Sequence, residues 1–218
     1  MEKELDTLQT HNEVYWKQRS RMNWLAYGDR NSKVFHMKAS ERRRKNKISG
    51  LFNNEGIWFS DSGDVLNIVQ DYFQTIFSSS TPSFSDLEVV LSCVRPRVTR
   101  DMNEILLRPF SGEDVRKALM DMHPTKSPGP DGFPAIFFQN FWNIIGSDII
   151  KAALHILNEQ GDVGIWNSTL ITLIPKVKEP KQVKDFRPIS LCNVLYKIVY
   201  RAITNCFRLV LDEIIGDP

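Results

Sequence analysis

Lys176 and Arg187 are the residues whose types and spacing best suit chemistry on a phosphate group. Lys176 follows the apolar run 169–175, and Arg187 comes eleven residues later, after a charged turn at 178–185. If the flanking segments pair as a hairpin, both cations converge on one polyphosphate, the lysine as a point charge and the arginine as a planar fork. Two solvated surface cations would give the same sequence, and residue type alone favours that interpretation.

A second set of cations forms a compact cluster. Residues 1–50 carry 12 Lys or Arg against 6 Asp or Glu, although the whole chain has a net charge of only +2. The cluster consists of Arg42, Arg43, Arg44, Lys45 and Lys47. Such a concentration of positive charge is typical of a surface that contacts a polyanion such as nucleic acid. A solvated helix face and a nuclear-import segment are the alternatives.

The sequence indicates neither a catalytic residue nor a metal site. Its four histidines are scattered, with no two at metal-ligand spacing. No P-loop, dinucleotide fingerprint or nucleophile elbow is present. No adjacent pair of acids lies on a predicted hairpin to hold metal ions.

Composition excludes several classes of protein. Among 218 residues, 42% are hydrophobic and 25% are charged, which is typical of a globular domain. No apolar run approaches the roughly 20 residues of a membrane span, and no secretory signal is visible. Three cysteines at unpatterned spacing fit a reducing compartment. We therefore expect no membrane contact and an intracellular location, in the nucleus or cytoplasm; the oligomeric state stays open.

The N-terminal elements must position the basic cluster. Residues 2–27 predict a helix that a glycine-containing break at 28–31 ends, and a second element from Val34 runs into the cluster. Residues 48–59 predict a β-hairpin around an Asn/Gly turn. Asp61 is placed to cap a strongly amphipathic helix. The predicted division of the chain is a basic helical extension with a hairpin (1–80), an irregular linker (81–110) and a final domain (111–218).

The C-terminal elements must position the two phosphate-facing cations. Residues 84–110 predict irregular structure with one short helix, and Ser111 begins a helix whose core positions are Val115, Ala118, Leu119 and Met122. Three prolines and two glycines make 124–132 a rigid loop, and helices follow over 134–144 and 147–159. Residues 169–174 predict a buried strand. Ser190 is expected to cap a last helix that carries Cys192 and has one face made of Leu191, Leu195, Ile198, Ala202, Cys206, Leu209 and Val210.

Four segments in order resemble the reverse transcriptase of plant non-LTR (LINE-type) retrotransposons. The segments are the Tyr-Trp-Lys-Gln-Arg region that runs from 15 to the basic cluster, Lys-Ser-Pro-Gly-Pro-Asp-Gly-Phe at 126–133, Leu-Ile-Pro-Lys at 173–176, and Asp-Phe-Arg-Pro-Ile-Ser-Leu-Cys-Asn at 185–193. The resemblance covers the region between an endonuclease and the polymerase, and the fingers. It implies an α+β, predominantly helical chain, the N-terminal part of a right-hand polymerase of fingers, palm and thumb.

The resemblance also implies roles for particular residues. Lys176 and Arg187 would contact the triphosphate of the incoming deoxynucleotide. This role favours convergence on one polyphosphate over two solvated surface cations. The cluster 42–47 would contact RNA template or DNA primer and target backbones without reading sequence. The motif loop, with Lys126, Pro128, Gly129, Asp131 and Gly132, would be structural, and Asp131 would cap the next helix.

The sequence departs from the family in one respect that bears on activity. The family's catalytic aspartates lie in the palm, and the 218 residues contain neither palm motif, so the palm core and thumb are expected to be missing. The complete enzyme would use Mg²⁺, whereas this fragment is expected to bind no cofactor and to be inactive alone. Whether the chain counts as an enzyme is therefore open. The alternatives are a non-catalytic nucleic-acid-binding module and a decayed remnant without function.

Overall fold

The computed structural model describes residues 2–20, 32–164 and 166–215. This part of the chain is predominantly helical, with two small two-stranded sheets, which confirms the predicted α+β class. Contacts divide the protein into two compact units. The first unit comprises Met1–Ser78 and Leu173–Ile189, and the second comprises Ser79–Thr172 and Ser190–Pro218. The units thus do not follow chain order, because 173–189 groups with the N-terminal residues.

The first unit begins with two helices and a hairpin. Helix α1 spans Glu2–Ser20 and α2 spans Ser32–Lys45, and the rings of Trp16 and His36 lie 3.6 Å apart between them. The predicted end of the first helix and the break at 28–31 lie outside the described residues. Strands β1 (Leu51–Phe52) and β2 (Trp58–Phe59) form the predicted antiparallel hairpin. Gly56 takes a positive φ of 78° in its turn, a conformation that favours glycine.

Helix α3 and the tip of a second hairpin complete the core of the first unit. Helix α3 spans Ser62–Phe77, and Asp61 caps it as predicted by accepting from the Gly63 amide at 2.8 Å. The buried residues of this core come from distant segments: Leu51, Val183 and Phe186. The half-buried side chains packed around them are Ile48, Val65, Ile68, Val69, Tyr72, Phe73 and Leu173. The apolar stripe of α3 therefore faces this core.

The second unit contains more regular structure before residue 111 than the sequence predicted. Helices α4 (Phe84–Ser92) and α5 (Arg100–Leu107) replace the expected irregular segment with one short helix. Ser83 and Asp86 cap α4 reciprocally, and the Thr99 hydroxyl accepts from the Met102 amide at 3.2 Å. The capping residues were thus present in the sequence, and the apolar residues of α4 are exposed in the structure.

Four helices build the core of the second unit. Helix α6 spans Gly112–Met120, α7 Ala135–Asn140, α8 Trp142–Glu159 and α9 Val194–Ile214. As predicted, α6 begins after Ser111 and buries Val115, Ala118 and Leu119. The break between α7 and α8 falls at Phe141, not at the predicted 145–146. The core residues of these helices are Val115, Ala118, Leu119, Ala135, Phe138, Ile149, Ala153, Val194, Ile198, Val199 and Ala202.

Strands β3 (Thr169–Pro175) and β4 (Phe186–Cys192) form one hairpin, joined by a 3-10 turn at Val183–Asp185. Two of our predictions for this region are wrong. Residues 169–172 of β3 are exposed and 173–175 are half-buried, because only the end of the strand near Leu173 packs against a core. Ser190 lies inside β4, and α9 begins after Asn193. Leu191 and Cys192 therefore belong to a strand, and Leu209 is 61% exposed.

Candidate nucleotide and nucleic-acid contact sites

The tip of the β3–β4 hairpin is fixed by local hydrogen bonds and by apolar anchors. The Asp185 carboxylate accepts from the backbone amides of Lys181 at 3.0 Å and Gln182 at 2.9 Å. These two bonds hold the pKa of Asp185 below its ordinary value, because they favour the ionised form. Val183 and Phe186 on either side are buried in the first unit's core. The charged turn predicted from sequence is therefore an ordered structure.

The hairpin register places Lys176 and Arg187 on the same face. The Lys176 amide donates to the Asp185 carbonyl at 2.8 Å, and the Thr169 Oγ1 and Cys192 Sγ atoms lie 3.5 Å apart at the other end. Both contacts fit one antiparallel register, which sets position 174 opposite Arg187. Lys176 and Arg187 are then diagonal neighbours, with Cα atoms about 7–8 Å apart. Phe186 and Leu173 occupy the opposite face, toward the core.

Both cations are exposed on this outer face. The Lys176 Nζ atom donates to the Lys184 carbonyl at 2.7 Å, which orients the ammonium and leaves two of its three donors. Within the described ranges, no ion pair joins Lys176 or Arg187 to a carboxylate. A point charge and a bidentate fork on one face of a hairpin suit a di- or triphosphate.

The basic cluster occupies the end of α2. Arg42, Arg43, Arg44 and Lys45 form its last turn, where the helix dipole favours cations, and Lys47 follows two residues later. The three arginines are exposed. Lys45 instead pairs with Glu41 at 2.8 Å, so the cluster presents less free charge than its sequence indicates. Hydrogen bonds and ion pairs from Lys45 and Lys38 lower the pKa of Glu41 to about 2.

The motif loop packs against the start of α9, within the second unit. A Cβ atom built on Gly129 would collide with the Oδ1 and backbone N of Asn193 and lie 2.5 Å from the Cys192 carbonyl carbon. The Asn193 Oδ1 accepts from the Asp131 amide at 3.3 Å, and the Lys197 Nζ donates to the Ser127 carbonyl at 3.0 Å. Glycine at 129 is therefore required by the close approach of two backbones.

The other residues of the loop have separate positions. Gly132 takes a positive φ of 76°, Pro128 is half-buried and Lys126 is exposed. Our prediction that Asp131 caps the next helix is wrong. Its carboxylate accepts from the Phe133 amide at 3.1 Å, two residues on, while α7 has Pro134 at its N-cap and no side-chain cap. The intervening proline displaces the helix start beyond the reach of Asp131.

Asn193 and Lys197 adjoin the motif loop, which was not predicted from the sequence. Their spacing of four residues places them on one side of α9, which was a signal available in the sequence. Their significance depends on which segment lies beside them, and that is a tertiary property.

The described residues contain no group of three or more His, Cys, Asp or Glu that would hold a metal ion. No helix in the described ranges is long and apolar enough to cross a membrane.

Comparison with known proteins relates the chain to a transposable element. It is 30% identical over 198 residues to the "Transposon TX1 uncharacterized 149 kDa protein" of Xenopus laevis. The match covers 90% of this chain and 15% of the Xenopus protein. No protein-family model matches the chain. The transposable-element part of the expected resemblance is thereby confirmed.

Proposed function

We propose that the chain supplies nucleotide and nucleic-acid contacts to an RNA-directed DNA polymerase of a non-LTR retrotransposon. The relation to a transposon protein over nearly the whole chain supports a retroelement origin. The order of the four motif segments supports the polymerase region, in particular its fingers. The palm aspartates would come from elsewhere in the complete protein, which would act on an RNA template and a DNA primer with Mg²⁺.

The placement of Lys176 and Arg187 carries the nucleotide part of the proposal. They share the outer face of a hairpin whose inner face is anchored by Phe186 and whose tip is held by Asp185. The anchoring matters because a phosphate site gains affinity when its cations are held in place before the ligand arrives. Charge that develops on a transferring phosphoryl group would be stabilised by these cations.

Binding of a fluorescent deoxynucleoside triphosphate tests this part of the proposal. The variant Lys176→Gln/Arg187→Gln removes both proposed contacts, and Lys178→Gln/Lys184→Gln removes equal charge from the same hairpin. We expect the first variant to bind at least roughly a hundredfold more weakly, because two lost contacts of about 1.5 kcal/mol each sum to about 3 kcal/mol, and about 1.4 kcal/mol is tenfold. The control should stay within about twofold. If the two variants lost equal affinity for the nucleotide, net charge alone would explain the loss and the proposal would be contradicted.

A non-catalytic nucleic-acid-binding module is the second candidate function. The observation that favours it is the exposed arginine triplet 42–44, which ends a helix and has no ion pair to a carboxylate in the described ranges. Such a module would bind RNA or DNA with a steep dependence on salt.

The triple variant Arg42→Gln/Arg43→Gln/Arg44→Gln tests the binding module. If all three arginines contact phosphates of single-stranded RNA, the slope of log affinity against log salt should fall by about 2. An unchanged slope would exclude these arginines from the interface. Template-dependent primer extension by the isolated chain, free of host polymerase, would show that the chain is active alone and would overturn the expectation that it contributes contacts only.

A further inference from the structure

An unpartnered polar atom marks a surface that the proposed function does not use. Among the buried side-chain nitrogen and oxygen atoms of the described residues, the Nε of Arg201 is the one that has no hydrogen-bond partner. Buried polar groups are nearly always satisfied, so an exception requires an explanation. Arg201 itself is half-buried on α9.

Two further cations share this side of α9. Lys197 is half-buried, and its ammonium donates to the Ser127 carbonyl, which leaves two donors. Partial burial lowers the pKa of Lys197, although nearby Asp131 opposes this effect. Arg208 is exposed. None of the three cations forms an ion pair with a carboxylate among the described residues.

The spacing of the three cations makes them a continuous track. Positions 197, 201 and 208 fall within about 40° of arc on an α-helix and span about 16 Å along its axis. We call Lys197, Arg201 and Arg208 the α9 basic face. At about 3.4 Å of axis per phosphate in one strand of a duplex, its length corresponds to roughly five nucleotides.

Aromatic side chains border the α9 basic face. Tyr200 is 63% exposed and Phe207 is 47% exposed, and each immediately precedes a cation of the face in the sequence. The pair lies about 100° around the helix from Arg201 and Arg208, within reach of one bound strand. Cations beside exposed rings are the combination with which proteins bind single strands, because the cations contact phosphates and the rings stack on bases.

We propose that the α9 basic face binds the backbone of single-stranded nucleic acid, with Tyr200 and Phe207 offering stacking surfaces. This inference rests on the proposed function, since it assigns a second contact to the same class of ligand. The contact lies on the second compact unit, whereas the basic cluster and Lys176 belong to the first. Because the Nε of Arg201 is buried, it would reach a phosphate oxygen only after the side chain changes rotamer on binding.

The test compares two variants of the full chain that remove equal charge. Arg201→Gln/Arg208→Gln removes two members of the face, and Arg95→Gln/Lys151→Gln removes two exposed cations elsewhere in the same unit. The probe is a fluorescein-labelled single-stranded RNA oligonucleotide, titrated over a range of KCl concentrations. We expect the first variant to bind RNA about tenfold more weakly at low salt. Its slope of log affinity against log salt concentration should fall by about 1.4, and the control should change little in both quantities.

A second readout covers the case in which the arginine variant fails to fold. In the wild-type chain, bound RNA should slow acetylation of Lys197 severalfold but leave Lys151 unaffected. Equal acetylation of Lys197 with and without RNA would overturn the inference. So would equal losses in the two charge variants, or competition by polyglutamate as effective as that by unlabelled RNA, which would identify a general polyanion surface.

The arginine triplet variant separates this inference from the proposed function. If Arg42→Gln/Arg43→Gln/Arg44→Gln weakens binding and Arg201→Gln/Arg208→Gln does not, the proposed function stands and the α9 contact is wrong. If both weaken binding, and the combined variant more than either, both contacts are supported. Loss of nucleotide binding in Lys176→Gln/Arg187→Gln bears on the first unit alone.

Discussion

Replacing Gly129 by alanine should destabilise the second unit strongly, because two backbones meet at this residue. The added Cβ would collide with the amide nitrogen and Oδ1 of Asn193 and would lie 2.5 Å from the Cys192 carbonyl carbon, whereas ordinary Cβ contacts are 3.4–4 Å. The obstructing atoms are mostly backbone at the junction of β4 and α9, so rotation of a side chain cannot relieve the collision. The loop must therefore move by about 1 Å or detach.

The cost follows from two contributions. Overpacking against a rigid neighbour costs about 1–3 kcal/mol. Displacement of the loop also lengthens the hydrogen bond from the Asp131 amide to Asn193, which is worth about 1 kcal/mol. We therefore expect a loss of about 3 kcal/mol in the free energy of unfolding. For a protein of this size, that loss lowers the melting temperature by roughly 6–12 °C.

The matched control is Gly132→Ala in the same loop. Gly132 has a φ of 76° but no atom within 4 Å of a built Cβ, so alanine there costs only the backbone strain of about 1 kcal/mol. Urea unfolding followed by far-ultraviolet circular dichroism measures both variants. The reasoning is refuted if Gly129→Ala costs no more than Gly132→Ala.

A second mutation shows which atoms cause the loss. Asn193→Ala removes Oδ1 but keeps the backbone atoms that also obstruct position 129. The double variant Gly129→Ala/Asn193→Ala should therefore recover roughly 1 kcal/mol relative to the sum of the single changes, not the whole loss. Full additivity would mean that the two residues do not meet.

Three further predictions concern other contacts. Asp114→Asn breaks the two-bond pairing with Arg108 and weakens the Ser111 cap of α6, so it should cost about 1–2 kcal/mol by urea unfolding at neutral pH. Arg108 holds the pKa of Asp114 far below its ordinary value of 3.8. The wild-type chain should therefore keep the stability that this pair contributes above pH 3.8 and lose it as the pH falls further. The variant lacks the carboxylate and should lose less stability in acid. Gln160→Gly relieves a left-handed residue (φ 57°) at the end of α8 and should raise stability by up to about 1 kcal/mol, and a lower melting temperature would contradict this. Glu41→Gln frees Lys45 and Lys38 and should strengthen RNA binding at low salt; since the pKa of Glu41 is about 2, wild-type binding between pH 5 and 8 should show no titration of this group.

Several predictions from sequence succeeded because they depend on residues within one or two turns of each other. The Asp61 and Ser111 caps need only the amides that follow them, and the turn at Asn53–Gly56 needs only its own amide oxygen and a glycine with positive φ. The strand at 169–174 and the charged turn after it were also local features, whereas pairing with a second strand entered the prediction only as a condition.

Other features could not be predicted because they join segments far apart in the chain. The N-terminus of α9 was assigned to Ser190, which is a good cap by type, but residues 186–192 are used as a strand opposite 169–175. Exposure of β3 was missed for the same reason: an apolar run indicates burial only if something covers both faces.

The sequence by itself determined the capped helices α3 and α6, both turns and the charge of the basic cluster, since each is specified by neighbours along the chain. Only the tertiary structure decided that 173–189 joins the N-terminal unit, that Gly129 touches Asn193, and that Lys197 lies beside the motif loop. The physical reason is that these contacts are made by packing of residues 60 or more positions apart, and the local patterns that set secondary structure carry no information about such partners.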